Sequence, residues 1–129
     1  MKRFFQLNPD NRPATWATIK QWRDTHEVAP VDTTFGNFDC DERSDARMNG
    51  SIGLFDNLPT LQGGKLTWKR GDNSFIQLTK AELQQVYSEV QLNRATRGAL
   101  LHVKAEMFRQ MDPAPTSAQL SDLSFWLEE

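Results

Sequence analysis

From Lys80 to Met111 the chain carries no proline, and it enters that stretch through a strong helix-start signal. Thr79 can cap the first turn while Glu82, three residues on, reaches back to the cap's own N–H. Leu78 and Leu83 stand where a hydrophobic staple needs them. A helix from about Lys80 to Met111 would span roughly 48 Å. That is longer than a small domain is wide, which leaves room for part of it to project. Leu83, Val86, Tyr87 and Val90 form one apolar stripe. The same phase then meets Arg94, Arg97 and Gly98 before returning to Leu101, Ala105 and Phe108. Leu100, Met107 and Met111 widen the arc in the last third. The helix therefore reads as two apolar halves separated by two arginines.

Everything upstream can be placed around this helix. Lys65–Arg70 alternates with Leu66 and Trp68 on one face, Gly71-Asp72-Asn73 turns the chain, and Ser74–Leu78 returns it as a hairpin. Two β-compatible triplets, Thr33–Phe35 and Phe38–Cys40, flank Gly36-Asn37 and predict a smaller hairpin with its turn there. Pro13 suits a first helical turn with Asn11 or Arg12 as cap. Trp16, Ile19, Trp22 and His26 follow near one line, so Pro13 to about Glu27 reads as an amphipathic helix with its tryptophans in the core. Asp41 is a good N-cap for a helix from Glu42 to about Asn57, in which Met48, Ile52 and Phe55 make the apolar row. Gly50 and Gly53 inside it predict close packing or a break. Asp112-Pro113-Ala114-Pro115 stops the long helix. A second capping box, Thr116 with Gln119, opens a short terminal helix carrying Leu120, Leu123, Trp126 and Leu127.

The expected fold is α+β: two small β-hairpins packed with three to four helices, one of them long. The expected divisions are an N-terminal arm or edge strand at 1–12, a main domain at 13–111 and a helical extension at 112–129. With 129 residues the chain can bury a core without metals or disulfides. A net charge of −2 argues against a general nucleic-acid binder. Polar Gln6 follows Phe4-Phe5 too soon for a signal peptide, and no window predicts a membrane span.

No catalytic or cofactor machinery is legible. His26 and His102 lack metal-ligand spacing. Cys40 stands just before a helix start, where a thiolate is stabilised, and would need His26 or His102 as its base. A small buried thiol is the simpler account. Asp39, Asp41, Glu42 and Asp45 cluster, but without the glycine and terminal glutamate of a calcium loop. The glycines fit neither a phosphate loop nor a dinucleotide fingerprint, and no nucleophile elbow is present. No metal or cofactor is expected. Arg94 and Arg97 are the anomaly, because an unpaired buried charge is costly. They face solvent, meet carboxylates such as the acidic cluster, or belong to a partner-binding or oligomer-register surface. The partner-contact candidates are Arg94, Arg97, Leu100, Leu101, Met107, Phe108, Met111 and Trp126. The second half of the helix is expected to touch a partner or the terminal helix around Trp126.

Several motifs carry a family resemblance. Ile19-Lys20-Gln21-Trp22-Arg23-Asp24 resembles the helix that opens a family of tailed-phage proteins of unknown function, found in or beside tail-fibre proteins. Trp68-Lys69-Arg70-Gly71-Asp72-Asn73-Ser74-Phe75-Ile76-Gln77-Leu78-Thr79 resembles that family's tryptophan strand, turn and capped helix. Thr33 to Cys40 and Asp41-Glu42-Arg43-Ser44 match its short hairpin and acidic helix start. The resemblance covers about residues 15–111. The loop from Leu58 to Gly64 departs from it, and residues 1–12 and 112–129 match less well.

The resemblance implies a bacteriophage or prophage protein associated with the tail or tail fibre, and it brings no catalytic residues. The function expected from it is a non-enzymatic structural or interaction protein. Its partner would be a tail-fibre or baseplate protein, with self-association through the long helix as a further possibility. It would act in the cytoplasm of the bacterial host during assembly or in the virion tail. No nucleic-acid or membrane partner is expected. The alternatives are a tail-fibre assembly chaperone absent from the mature virion, and a host-directed effector or small enzyme with a site around Cys40 and His26.

Overall fold

In the computed structural model, which describes residues 11–59 and 61–128, ten elements follow one another. They are α1 (Trp16–Glu27), β1 (Val31–Thr33), β2 (Gly36–Phe38), α2 (Glu42–Leu54), a 3-10 turn at Phe55–Asn57, β3 (Leu66–Lys69), β4 (Phe75–Leu78), α3 (Lys80–Gln110), α4 (Ser117–Leu120) and α5 (Leu123–Leu127). The class is α+β, with two separate antiparallel hairpins and one long helix, as the residue pattern predicts. The arm or edge strand expected at the N-terminus lies, through residue 10, outside the described residues. Two compact units divide the chain: Val28–Thr96 forms a hairpin unit, and the chain through Glu27 together with Arg97–Glu129 forms a terminal unit. This differs from the expected split at 111/112, because the last segment belongs with α1 in one core.

In the hairpin unit, α3 starts as its sequence requires. The Glu82 N–H donates to Thr79 Oγ1 at 3.2 Å and the Thr79 N–H donates to Glu82 Oε1 at 2.8 Å. Leu78 and Leu83, the staple pair, are both buried. The β3–β4 register pairs Leu66 with Leu78 and Trp68 with Ile76. Its turn closes through the Arg70 N–H on Ser74 O (2.7 Å) and the Asn73 N–H on Arg70 O (3.0 Å). Asn73 takes φ 71, a left-handed conformation that asparagine tolerates.

The first hairpin turns two residues earlier than expected. Val31 pairs with Phe38 and Thr33 with Gly36, so Thr34-Phe35 is the turn. The cause is the Thr33 hydroxyl, which accepts from the Phe35 N–H at 3.1 Å and donates to Gly36 O at 2.9 Å. Gly36 then serves as the first residue of β2 at φ +111, where a side chain would be strained. Gly71 joins the two hairpins. Its N–H donates to Asn37 O at 2.9 Å, and a Cβ there would stand 2.5 Å from Asn37 Oδ1.

Asp41 caps α2 by accepting from the Ser44 N–H at 2.8 Å. The α-helix ends at Leu54 and tightens into the 3-10 turn rather than running to Asn57. Gly50 and Gly53 do not mark close packing, since a Cβ at either would meet nothing within 4 Å. Met48 and Phe55 complete a core with Val31, Phe38, Leu78, Leu83, Val86 and Val90.

In the terminal unit, α1 begins at Trp16 rather than Pro13. Pro13 instead bridges to Thr116, and the Ala14 N–H donates to Pro115 O at 2.8 Å. The Thr15 hydroxyl, at 3.3 Å from the Thr18 N–H, takes the capping role. Thr116 and Gln119 form the expected capping box. The single terminal helix expected beyond them is two short ones, because the Asp122 carboxylate accepts from the Ser124 N–H and starts α5 afresh. The core comprises Ile19, Leu101, Ala105, Phe108, Leu120 and Trp126. Leu120 O accepts from both His26 Nε2 (2.7 Å) and Trp126 Nε1 (2.8 Å).

Candidate functional site

Within the terminal unit, α3 shows two faces that the sequence alone does not separate. Leu101, Ala105 and Phe108 recur at helical spacing and are at most 5% exposed. Phe108 meets Trp126 edge-on at 4.9 Å, and Phe125 stacks on it at 5.2 Å. Leu100, Val103, Met107 and Met111 follow a second row at steps of three, four and four. Their exposures are 37%, 59%, 52% and 48%. A row of long apolar side chains in water is the arrangement that marks a contact surface. Met111 also lines an apolar groove of about 540 Å³, with Pro113, Pro115 and Phe125 on its walls.

The eight candidate residues therefore separate. Leu101, Phe108 and Trp126 are buried together, so this part of α3 makes the expected contact with the terminal helix around Trp126. Leu100, Met107 and Met111 remain at the surface, and Val103 joins them. The steps of three and four from Leu100 through Val103 to Met107 are the sequence signal for Val103, which the stronger periodicity of the buried row masks.

Arg97 Nη2 donates to Glu27 O at 3.1 Å. Arg94 is half-buried and makes no ion pair among the described residues. Asp45, from the acidic cluster, accepts from Gln91 of α3 in a short contact. Burial first, and then the charge of Asp45 and its hydrogen bond, push the Tyr87 hydroxyl above its usual pKa.

Polar side chains on the other faces of this stretch of α3 are engaged within the terminal unit. Arg109 lies 4.6 Å from the Trp16 ring centre and 3.7 Å from the Glu106 carboxylate. Lys104 Nζ donates to the Glu128 carbonyl. His102 Nε2 stands 4.0 Å from Glu27 Oε1.

The groups that would have supported nucleophilic chemistry are engaged elsewhere. Cys40 is 1% exposed and its Sγ donates to Ala29 O at 3.0 Å. His26 is buried and stacks on Trp22 at 5.7 Å. Among the described residues no three His, Cys, Asp or Glu side chains gather as metal ligands would. No helix among them is long and apolar enough to cross a membrane.

No curated protein and no solved structure matches the chain. A family match covers residues 10–122, which takes in both hairpins, the core of the hairpin unit and the exposed face of α3, and stops short of Trp126 in the second core. The chain belongs to the family described as Domain of unknown function (DUF4376).

Proposed function

We propose that this chain is a non-enzymatic interaction protein of a tailed bacteriophage or prophage, and that it docks on a tail-fibre or baseplate protein through α3. The observation that carries the reading is the exposed row Leu100, Val103, Met107 and Met111, set over a core that already has its own cover. An amphipathic helix laid into a partner's groove is a common recognition mode, read as anchors at i, i+3, i+7. The tail-fibre identity of the partner comes from the motif resemblance around Trp22 and Trp68. In this reading the protein works in the cytoplasm of the bacterial host during assembly or in the virion tail.

The test is co-purification with a tail-fibre protein encoded in the same genome, using the full chain and a Val103→Asp, Met107→Asp variant. Binding by the wild type and loss in a folded variant supports the reading. Equal retention by both removes the docking face. Light scattering reports the other occupant: a wild-type dimer that the variant breaks assigns the face to a second copy. Mass spectrometry of purified virions then separates a virion component, present at stoichiometric level, from an assembly chaperone, which is absent.

A further inference from the structure

We propose that the open edge of β3 accepts an extended acidic peptide segment as an added strand. This site lies within the hairpin unit and does not rest on the reading of α3. The hydrogen-bonding alternation of an antiparallel ladder decides which backbone groups are free. The Arg70 N–H donates to Ser74 O, so Arg70–Ser74 is a hydrogen-bonded pair. Stepping along the register, Trp68–Ile76 and Leu66–Leu78 are bonded pairs as well. Thr67 and Lys69 fall between them and turn their N–H and C=O groups away from β4. None of these four groups has a hydrogen-bond partner among the described residues.

Two residues further on, the outward position is already used. The Gly71 N–H donates to Asn37 O at 2.9 Å, so the first hairpin lies against this edge at Gly71. Beyond Asn37 the chain departs through Asp39 into α2. The departure opens a cleft of about 240 Å³ along Thr67, Trp68 and Lys69, faced by Asp39, Ser44 and Arg47. An added strand in that cleft continues the pairing that Asn37 begins. Strand addition to an exposed edge draws its affinity from main-chain hydrogen bonds and its selectivity from flanking side chains.

Charge selects the occupant. Arg47 and Lys69 line the cleft with one carboxylate, Asp39; Arg47 also acts with Arg43 on the nearby Asp41, and neither Arg47 nor Lys69 belongs to an ion pair among the described residues. Two copies of this edge would bring like charges together, which disfavours self-pairing. A segment with acidic side chains meets both cations, while Asp39 remains available to its N–H or hydroxyl donors. The rival account is that Lys69 is there to deter strand pairing, a common protection of edges.

The probe is a capped hexapeptide alternating glutamate and valine, titrated into the ¹⁵N-labelled full chain. The amides of Thr67 and Lys69 should shift, with the Leu66 and Trp68 amides following less. Thr67→Pro removes one outward N–H at an edge position where proline is tolerated, so the Ile76 and Leu78 amides should keep their dispersion. Peptide binding to that variant should weaken at least tenfold. Arg47→Gln with Lys69→Gln should also weaken it at least tenfold, as should replacing glutamate by lysine in the peptide. No shift at millimolar peptide overturns the proposal, as does unchanged binding by a folded Thr67→Pro variant or equal binding of the lysine peptide. A concentration-dependent dimer abolished by Thr67→Pro overturns it in favour of a second copy.

Discussion

Two residues of α3, Leu101 and Val103, should respond oppositely to the same truncation. Leu101 is 0% exposed and packs with Ile19, Phe108 and Trp126. Leu101→Ala removes buried carbon and leaves a cavity, which costs about 2–5 kcal/mol in well-packed cores. Val103 is 59% exposed. Val103→Ala removes methyl groups that water already reaches, and alanine is the better helix former by up to roughly 0.7 kcal/mol. The net change there should lie between zero and a slight gain. Urea unfolding read by tryptophan fluorescence measures both. Three of the four tryptophans, Trp16, Trp22 and Trp126, belong to the unit that contains both sites. With a slope of about 2 kcal/mol per molar urea, Leu101→Ala should lower the midpoint by roughly 1–2.5 M and Val103→Ala should leave it in place. If Val103→Ala destabilised as much as Leu101→Ala, Val103 would be a core residue and the docking face would lose its centre.

Acid should unfold the hairpin unit through its capping carboxylates. The Thr79 N–H and hydroxyl hold Glu82 below its usual 4.5, the Thr34 N–H and hydroxyl do the same for Glu89, and the Ser44 N–H first of all holds Asp41 below 3.8. The unfolded chain takes up these protons first, so the stabilisation is present above the ordinary values and is lost as pH falls from about 4.5 through the lowered folded ones. The urea midpoint should therefore fall below pH 4.5, and Glu82→Gln should make that fall shallower. Gly50→Ala should stabilise α2 by about 0.5–1 kcal/mol, since a helix interior prefers alanine and the added Cβ meets nothing within 4 Å. Thermal unfolding with a midpoint no higher than wild type would show that Gly50 has a role its open surroundings hide.

Local chemistry was legible in the sequence wherever the deciding interaction is short-range. The Thr79–Glu82 and Thr116–Gln119 boxes, the Asp41 cap and the β3–β4 hairpin each close within a few residues, and each is where its motif places it. The failures share a cause: a partner distant in sequence or a hydroxyl that competes with a glycine. Pro13 looked like a helix start because Thr116, its bridging partner, is far along the chain. The first turn was misplaced because Gly36-Asn37 is the stronger turn signal on paper, while the Thr33 hydroxyl closes the turn at Thr34-Phe35. Of the site, Leu100, Met107 and Met111 were picked out, but Leu101, Phe108 and Trp126 were grouped with them. Periodicity shows that a face is apolar and does not show what covers it. The cover for Leu101 and Phe108 comes from α1 and from α4–α5, which arrive from opposite ends of the chain.

The outward side of α3 carries exposed apolar residues in both of its halves, Leu92 at 67% and Val103 at 59%. The inward rows, Leu83, Val86 and Val90 and then Leu101, Ala105 and Phe108, are in phase, because the eleven residues from Val90 to Leu101 bring a helix back within about 20°. The opposite face is free to be polar throughout, and over its first turns it is: Gln84, Gln85 and Ser88 are exposed there. Five turns on, the same positions are His102, Val103 and Glu106, so Val103 is the apolar one of the three, with Leu100 and Met107 beside it toward the edge of that face. Helix propensity explains leucine and methionine but not valine, which costs a helix roughly half a kcal/mol relative to alanine. Nor does burial explain it, since Val103 has the largest exposure of the row. A β-branched apolar residue kept at the most exposed position of that row gains nothing for the isolated chain. A surface closing over it would supply stabilisation, which is what the proposed docking along Leu100–Met111 requires.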